Sequence, residues 1–252
     1  CHSEEEIIMY HFFVEPHQIG AEEIRIEGAD VNHIRNVLRM KPGEKILISS
    51  REGGDYFCRV EELEPEYVSA KILEERENNE LPARIHLFQG LPKGDKMELI
   101  IQKAVELGVY RVIPVSMKRS VVKLDAKKAD AKGKRWNAVS ESAAKQSKRS
   151  LIPEVAPLMT YKEAVKEAAG YDMVLLPYES ADGIRKTREL LASVKPGTDI
   201  AVFIGPEGGF EDEEVELARE NRAEIVTLGK RILRTETAGL CMLSALMLQL
   251  EV

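Results

Sequence analysis

Residues 10–75 alternate apolar and polar positions in short runs: HFFVEP, EEIRIEG, EKILISSREGGDYFCRVEEL and EYVSAKILEE. A period of two puts one face of each run in a core and the other in solvent, so these runs predict strands. Gly53-Gly54 falls between two of them, where a hairpin would turn. One helical piece interrupts the series, DVNHIRNVLRMKPG. Its Asp30 is placed to cap, Val31, Ile34 and Leu38 share a face, and Pro42-Gly43 ends it. The polar stretch RENNELPA, 76–83, closes this β-rich segment and marks a domain boundary, giving domains 1–80 and 81–252.

Past the boundary the rhythm changes to strand and helix in turn. RIHLFQGL is followed by KMELIIQKAVELG, whose Met97, Ile100, Ile101, Ala104 and Val105 share one face and which stops at Gly108. Then come strand YRVIPVS, a helix over 135–148, strand YDMVLLP, a helix over 183–193, strand DIAVFIG, a helix over 211–221, strand EIVTL and a last helix from about 236. Strands that are nearly all apolar and alternate with amphipathic helices imply a parallel sheet covered on both faces. The last helix, AGLCMLSALMLQL, is apolar on nearly every side, so it must lie in the core or against a second copy of the chain. The sole tryptophan, Trp136, is expected in the core or an interface.

With 44% hydrophobic and 31% charged residues, the composition is that of a folded protein rather than a disordered one. No apolar run approaches the roughly 20 residues a membrane-spanning helix needs, and CHSEEEII lacks the features of a secretory signal, so the chain is read as cytoplasmic. Residues 1–8 are read as an extension ahead of a natural start at Met9 and set aside. The three cysteines, Cys1, Cys58 and Cys241, have neither zinc nor disulfide spacing. The net charge of −7 argues against a polyanionic partner until its distribution is considered. Residues 1–80 hold 19 acidic and 9 basic side chains, whereas 118–149 hold 11 basic and 3 acidic. A local surplus of this kind, with Lys123, Lys148 and Arg149 in it, can neutralise RNA phosphates; a solvated helical face is the competing reading. In the first domain Arg35 and Arg39 lie on or beside the one helix and are candidates to grip an RNA backbone, while His33 beside them reads as a packing residue.

In an open parallel sheet, ligands bind where loops leave the carboxyl ends of the strands. Three such loops are unusual: Pro177-Tyr178-Glu179, then Gly205-Pro206-Glu207-Gly208-Gly209-Phe210, then Gly229 through Thr237. The glycine-rich loop matches neither GxGxxG nor GxxxxGK[ST], and the helix after it opens with Glu211, Asp212, Glu213 and Glu214, which would repel a pyrophosphate. A phosphate-free, neutral or cationic ligand is the better match, and S-adenosylmethionine is one; a tight turn with no ligand is the alternative. In LGKRILRTETAG, Arg234 is a candidate to face a substrate while the backbone of 228–233 wraps the cofactor; a surface ion-pair cluster of Arg231, Arg234 and Glu236 is the alternative.

Taken in order, KGDKMELIIQKAVELGV, RSVVK, RW with AAKQSKR, IGPEGGF and LGKRILRTETAG resemble the ribosomal RNA small subunit methyltransferase E family, of the SPOUT superfamily of knotted methyltransferases. HIRNVLRMKPGE resembles that family's PUA-like RNA-binding domain, so the resemblance runs from about Tyr10 to the C-terminus. It implies a PUA-like β-barrel followed by an α/β SPOUT domain with a trefoil knot, a homodimer, and S-adenosylmethionine as donor to N3 of one uridine in 16S rRNA of the small ribosomal subunit. It also implies a cofactor pocket of Leu176, Pro177, Tyr178, Glu179, Ile204, Gly205, Pro206, Glu207, Gly208, Gly209, Leu228, Gly229, Ile232 and Leu233, with Arg119 and Arg234 facing the RNA or target base. Lys118, Lys145 and Lys148 depart from the family pattern by adding positive charge where acidic or neutral residues are expected. No histidine in these motifs is an evident general base; Glu207 and solvent are the candidates. Two other readings stay open: an RNA-binding or ribosome-assembly protein without catalysis, and a SPOUT methyltransferase acting on another RNA, such as a tRNA ribose.

Overall fold

The computed structural model describes residues 9–50, 54–179 and 183–251. They form two compact units, one of residues up to Glu80 together with Lys148–Ile152, the other of Leu81–Ser147 and the chain from Pro153 onward.

The first unit is a mixed sheet of β1 (His11–Val14), β2 (Glu23–Glu27), β3 (Lys45–Ser50), β4 (Asp55–Leu63) and β5 (Tyr67–Arg76), in the order β1-β3-β4-β5-β2. Only β1 and β3 run parallel. Alternation does its work along each strand: Ile24 and Ile26, Ile46 and Ile48, Cys58 and Val60, Val68 and Ala70 all point into one core. The sheet curls around that core as half of a barrel. Ser49 pairs with Asp55 across the expected hairpin; of the Gly53-Gly54 turn, Gly53 lies outside the described residues.

The helical piece differs from expectation. Helix α1 (Ala29–Asn32) has Gly28 rather than Asp30 as its N-cap, with no side-chain cap, and it passes into a π-turn over His33–Val37. The wider turn keeps Val31 and Ile34 in the core and leaves Leu38 half-buried. His33, expected to pack, is exposed.

The second unit is built on β6 (Arg84–Gly90), β7 (Arg111–Ser116), β8 (Glu154–Val155), β9 (Met159–Thr160), β10 (Met173–Pro177), β11 (Asp199–Ile204) and β12 (Glu224–Val226), all parallel, in the order β12-β10-β11-β6-β7-β8, with β9 on β7. Helices α2 (Lys96–Glu106), α3 (Ala126–Gln146), α4 (Tyr161–Ala168), α5 (Gly183–Ala192), α6 (Asp212–Glu220) and α7 (Thr235–Leu250) connect or follow them. The face predicted for α2, Met97 to Val105, is the buried one, and Gly108 takes the left-handed φ of +87° that ends it. Phe88 and Phe203 stack 4.6 Å apart between adjacent strands at the centre of the core.

Four elements of this unit depart from the sequence reading, the two-residue strands β8 and β9 and the helices α3 and α4. Helix α3 begins nine residues before 135, at Ala126, because Asp125 accepts a hydrogen bond from Lys128 N and caps a turn with no apolar face; Trp136 is buried on it. Helix α4 is an addition, closed at its start by a Thr160–Glu163 capping box. No helix among the described residues is long and apolar enough to cross a membrane.

From β6 the chain winds outward to β7 and β8, whereas β11, β10 and β12 lie on its other side, so the sheet changes winding direction beside β6. A crevice at the carboxyl ends of the strands forms at such a switch.

Candidate functional site

The three loops foreseen as unusual converge there. Pro177–Glu179 leaves β10, Gly205–Phe210 leaves β11, and Thr227–Arg234 leaves β12. Together they bound a cavity of about 470 Å³, within the range of small-molecule sites. Each loop is held by its own contacts. Tyr178 N donates to Val226 O at 2.8 Å, and Gly209 N to Pro206 O at 2.9 Å. The Thr227 main chain is locked by Thr187, whose hydroxyl donates to Thr227 O at 2.7 Å. Gly208 cannot carry a side chain, since a Cβ there would lie 2.9 Å from Arg119 Cβ.

Of the expected pocket residues, Pro177, Tyr178, Glu179, Ile204 through Gly209, Leu228, Gly229, Ile232 and Leu233 line the cavity, as do Arg119 and Arg234. Leu176 does not. It is fully buried in the core beneath β10, because consecutive residues of a strand covered on both faces all face protein. Sequence reasoning missed Lys96, Phe210, Thr227, Thr235 and Ala238, which also line it. Lys96 stands in the KGDK motif and Thr235 in RTET, so both lay inside segments already singled out.

The two arginines sit differently. Arg119 is engaged on both sides: Nε lies 2.9 Å from Glu211 Oε1, and Nη1 donates to Gly208 O at 2.9 Å. The Glu211 carboxylate holds its guanidinium pKa above the ordinary value. Arg234, the N-cap residue of α7, makes no side-chain hydrogen bond or ion pair among the described residues, so the alternative of a surface cluster with Arg231 and Glu236 does not form. Glu236 pairs instead with Lys96 at 3.3 Å, and Lys96 also reaches Glu207 at 3.2 Å.

Glu207 is a poor proton acceptor. Burial pushes its pKa up, but its own backbone N–H, the Lys93 N–H and the Lys96 ammonium outweigh this and hold it below the ordinary carboxylate value. The contacts with Lys93 N and Lys96 occupy its carboxylate and count against Glu207 as general base. At the start of α6 the Glu214 carboxylate accepts from Glu211 N and from Lys118 N, both at 2.9 Å, and Lys118 and Arg119 pair with Glu213 and Glu211. Four consecutive carboxylates, Glu211 to Glu214, thus stand where a phosphate would approach the helix N-terminus.

Among the residues expected to hold RNA, Arg39, Lys123 and Lys148 are exposed and Arg35 is half-buried. Arg149 is a correction. It is 5% exposed and clamped to Glu80, its Nε 3.0 Å from both carboxylate oxygens, so its charge is spent inside the first unit and is not presented to a polyanion.

A half-barrel joined in sequence to a parallel α/β unit whose three carboxyl-end loops make one cavity is the architecture of an RNA methyltransferase. A family model described as "RNA methyltransferase domain" matches residues 79–247, and one described as "RNA methyltransferase PUA domain" matches 26–73. The ribosomal RNA small subunit methyltransferase E of Bacillus subtilis is 38% identical over 96% of this chain and 98% of its own length. A crystal structure of that enzyme from Neisseria gonorrhoeae, bound to S-adenosyl methionine, is 33% identical with a TM-score of 0.78, covering 94% of this chain and 96% of the other. A Legionella pneumophila putative methyltransferase, in complex with the same cofactor, is 30% identical with a TM-score of 0.80, over 94% and 96%. The chain belongs to the ribosomal RNA small subunit methyltransferase E family.

Proposed function

We propose that this chain transfers the methyl group of S-adenosylmethionine to N3 of a uridine in 16S rRNA, with the three-loop cavity as the donor site. The observation that carries the reading is the convergence of the three strand-end loops on one cavity. The acidic start of α6 disfavours a dinucleotide or triphosphate, while the cavity lining offers backbone groups and the Glu179 carboxylate to a ligand bearing cationic groups. The backbone of 204–209 and 228–233 would hold the adenosyl moiety. Family membership and the two relatives solved with this cofactor support the assignment.

The donor supplies an electrophilic methyl whose sulfonium leaves as a neutral thioether. On the acceptor, N3 of uridine must lose its weakly acidic proton before its lone pair can form the new N–C bond. The charge then spreads onto the base oxygens, and Arg234, with no side-chain partner among the described residues, is the cation assigned to hold it ahead of Lys230 and Arg231, which also line the cavity. Arg119 faces the same cavity but is tied to Glu211 and Gly208, so it serves the loop first. With Glu207 held ionised by Lys93 and Lys96, the proton is assigned to solvent. A uridine in a stack must leave it to reach the cavity, at a cost of a few kcal/mol that RNA contacts by Arg35, Arg39, Lys123 and Lys148 would offset.

The reading includes a homodimer and the trefoil knot implied by the family resemblance, acting on the small subunit in the cytoplasm. Helix α7 buries Met242, Leu243 and Leu246 but leaves Leu248 72% exposed, and nearby in sequence Ile232 is 85% exposed. Exposed apolar side chains such as these are compatible with burial against a second copy. Arg234→Ala is expected to lower turnover about 10²–10³-fold, the range for loss of one charge-stabilising group, with donor affinity by calorimetry unchanged. Full turnover would remove Arg234 from the reaction.

A further inference from the structure

The two walls of the cavity meet at one buried hydroxyl. Thr235, the first residue of α7, is 5% exposed and donates from Oγ1 to Gly205 O at 2.6 Å. A hydroxyl carries one hydrogen and a carbonyl only accepts, so that hydrogen is committed. Thr235 Oγ1 must therefore accept from its other neighbour, Gln89 Nε2, at 2.9 Å. The second hydrogen of Gln89 Nε2 goes to Gly90 O, also at 2.9 Å. Turning the amide over would set Oε1 against two oxygens that have no hydrogen to give it. Its orientation is thus forced, and the consequence is visible on the other side of the group: Gln89 is fully buried and its Oε1 has no hydrogen-bond partner among the described residues. An orphaned buried acceptor is rare, and leucine would fill this space without one. What the amide contributes here is its nitrogen, which donates both hydrogens.

Gln89 stands at the end of β6, directly under the glycine-rich loop. A Cβ on the next residue, Gly90, would fall 2.7 Å from Pro206 N and Cδ. β6 is accordingly the floor on which residues 205–209 rest, and Gln89 reaches through it to the start of α7, 146 residues along the chain. Arg234 immediately precedes Thr235 and lines the cavity with it.

We propose that Gln89 is a positioning residue for methyl transfer. Its amide fixes the Thr235 hydroxyl as donor to Gly205, and through that atom sets the 205–209 loop against the 228–234 loop and Arg234. The proposal rests on the reading of the cavity as the donor site.

The test compares the wild type with Gln89→Leu, Thr235→Val, the double variant and Thr235→Ser. Three quantities are read: the calorimetric Kd for S-adenosylmethionine, hydrogen exchange of the 205–209 and 228–234 amides, and the thermal midpoint without donor. Gln89→Leu and Thr235→Val should each weaken donor binding about tenfold, the effect of one lost buried hydrogen bond. The double variant should bind no more weakly than the worse single one, because both break the same link. Both loops should exchange faster, and Thr235→Ser, which keeps the hydroxyl, should bind like the wild type. Wild-type affinity in both single variants, multiplied losses in the double, or a lower midpoint with affinity and exchange unchanged would overturn the proposal alone. A wild type that gives no heat with the donor overturns the donor-site reading and the proposal together.

Discussion

Arg149 separates a structural from an RNA-binding role for the basic segment. Its side chain is 6% exposed and that of Glu80 13%. Glu80 also accepts from Ser150 N at 2.8 Å and Leu151 N at 3.2 Å, so the carboxylate joins residue 80 to the 148–152 segment within the first unit. Arg149→Met removes the cation and leaves a buried carboxylate with only those two amides. Breaking a buried pair on one side costs about 3–5 kcal/mol, and the surviving amide bonds favour the lower figure. With a urea slope near 2 kcal/mol per M, a loss of about 3 kcal/mol lowers the midpoint by about 1.5 M. Adding Glu80→Gln, which discharges the partner while keeping an acceptor for the amides, should recover most of that shift. Binding to a 16S rRNA fragment, measured on folded protein, should keep its salt dependence in Arg149→Met, whereas Lys148→Ala should reduce the slope by about one phosphate contact. A midpoint within about 0.3 M of wild type, together with a reduced salt slope for Arg149→Met, would refute the reasoning and return Arg149 to the RNA surface.

His86 is buried at the start of β6, with Nε2 3.0 Å from Asp199 Oδ1. Burial outweighs the Asp199 carboxylate and holds its pKa below the ordinary 6.5. The unfolded chain then binds more protons, so this contribution to stability is complete above pH 6.5 and is lost as pH falls below it. Urea midpoints from pH 7.5 down to 5 should fall less steeply for His86→Gln than for wild type; parallel slopes would exclude the role. On α7, a Cβ at Gly239 meets only Gln89 Oε1 and Ile204 Cγ1, both at 3.7 Å, an ordinary contact distance. Gly239→Ala should raise stability by about 0.5–1 kcal/mol through helix propensity, and a lower thermal midpoint would show that the α7 packing has been misjudged.

What could be read from the sequence divides along the range of the interactions. The strands of the first unit, five of the seven in the second and the buried face of α2 were legible because Ile46, Ile48, Met97 and Val105 repeat with the period of their own element, whereas β8 and β9, two residues each, carry no period at all. The opening turns of α3 were not, since AKKADAKGK has no apolar repeat and depends on the Asp125 cap. The Thr160–Glu163 box of α4 was present as a signal, but eight residues give too little periodicity to stand out. Glycines and strand ends marked the loops of the site, and most of the expected lining followed. The groups that fix those loops did not: Gln89 and Thr235, or Lys96 and Glu236, meet across distances in sequence that no local pattern records. For Arg149 the charge was legible and the partner was not, and the partner decides what the charge does.

The central claim is that this cavity methylates N3 of a uridine in 16S rRNA. Small subunits from cells lacking the activity, incubated with the chain and isotopically labelled S-adenosylmethionine, would be digested and the modified nucleotide located by mass spectrometry. The account predicts one labelled N3-methyluridine in 16S rRNA, lost in Arg234→Ala. Label on a ribose hydroxyl or in tRNA, or none with subunits that another family member methylates, would contradict it.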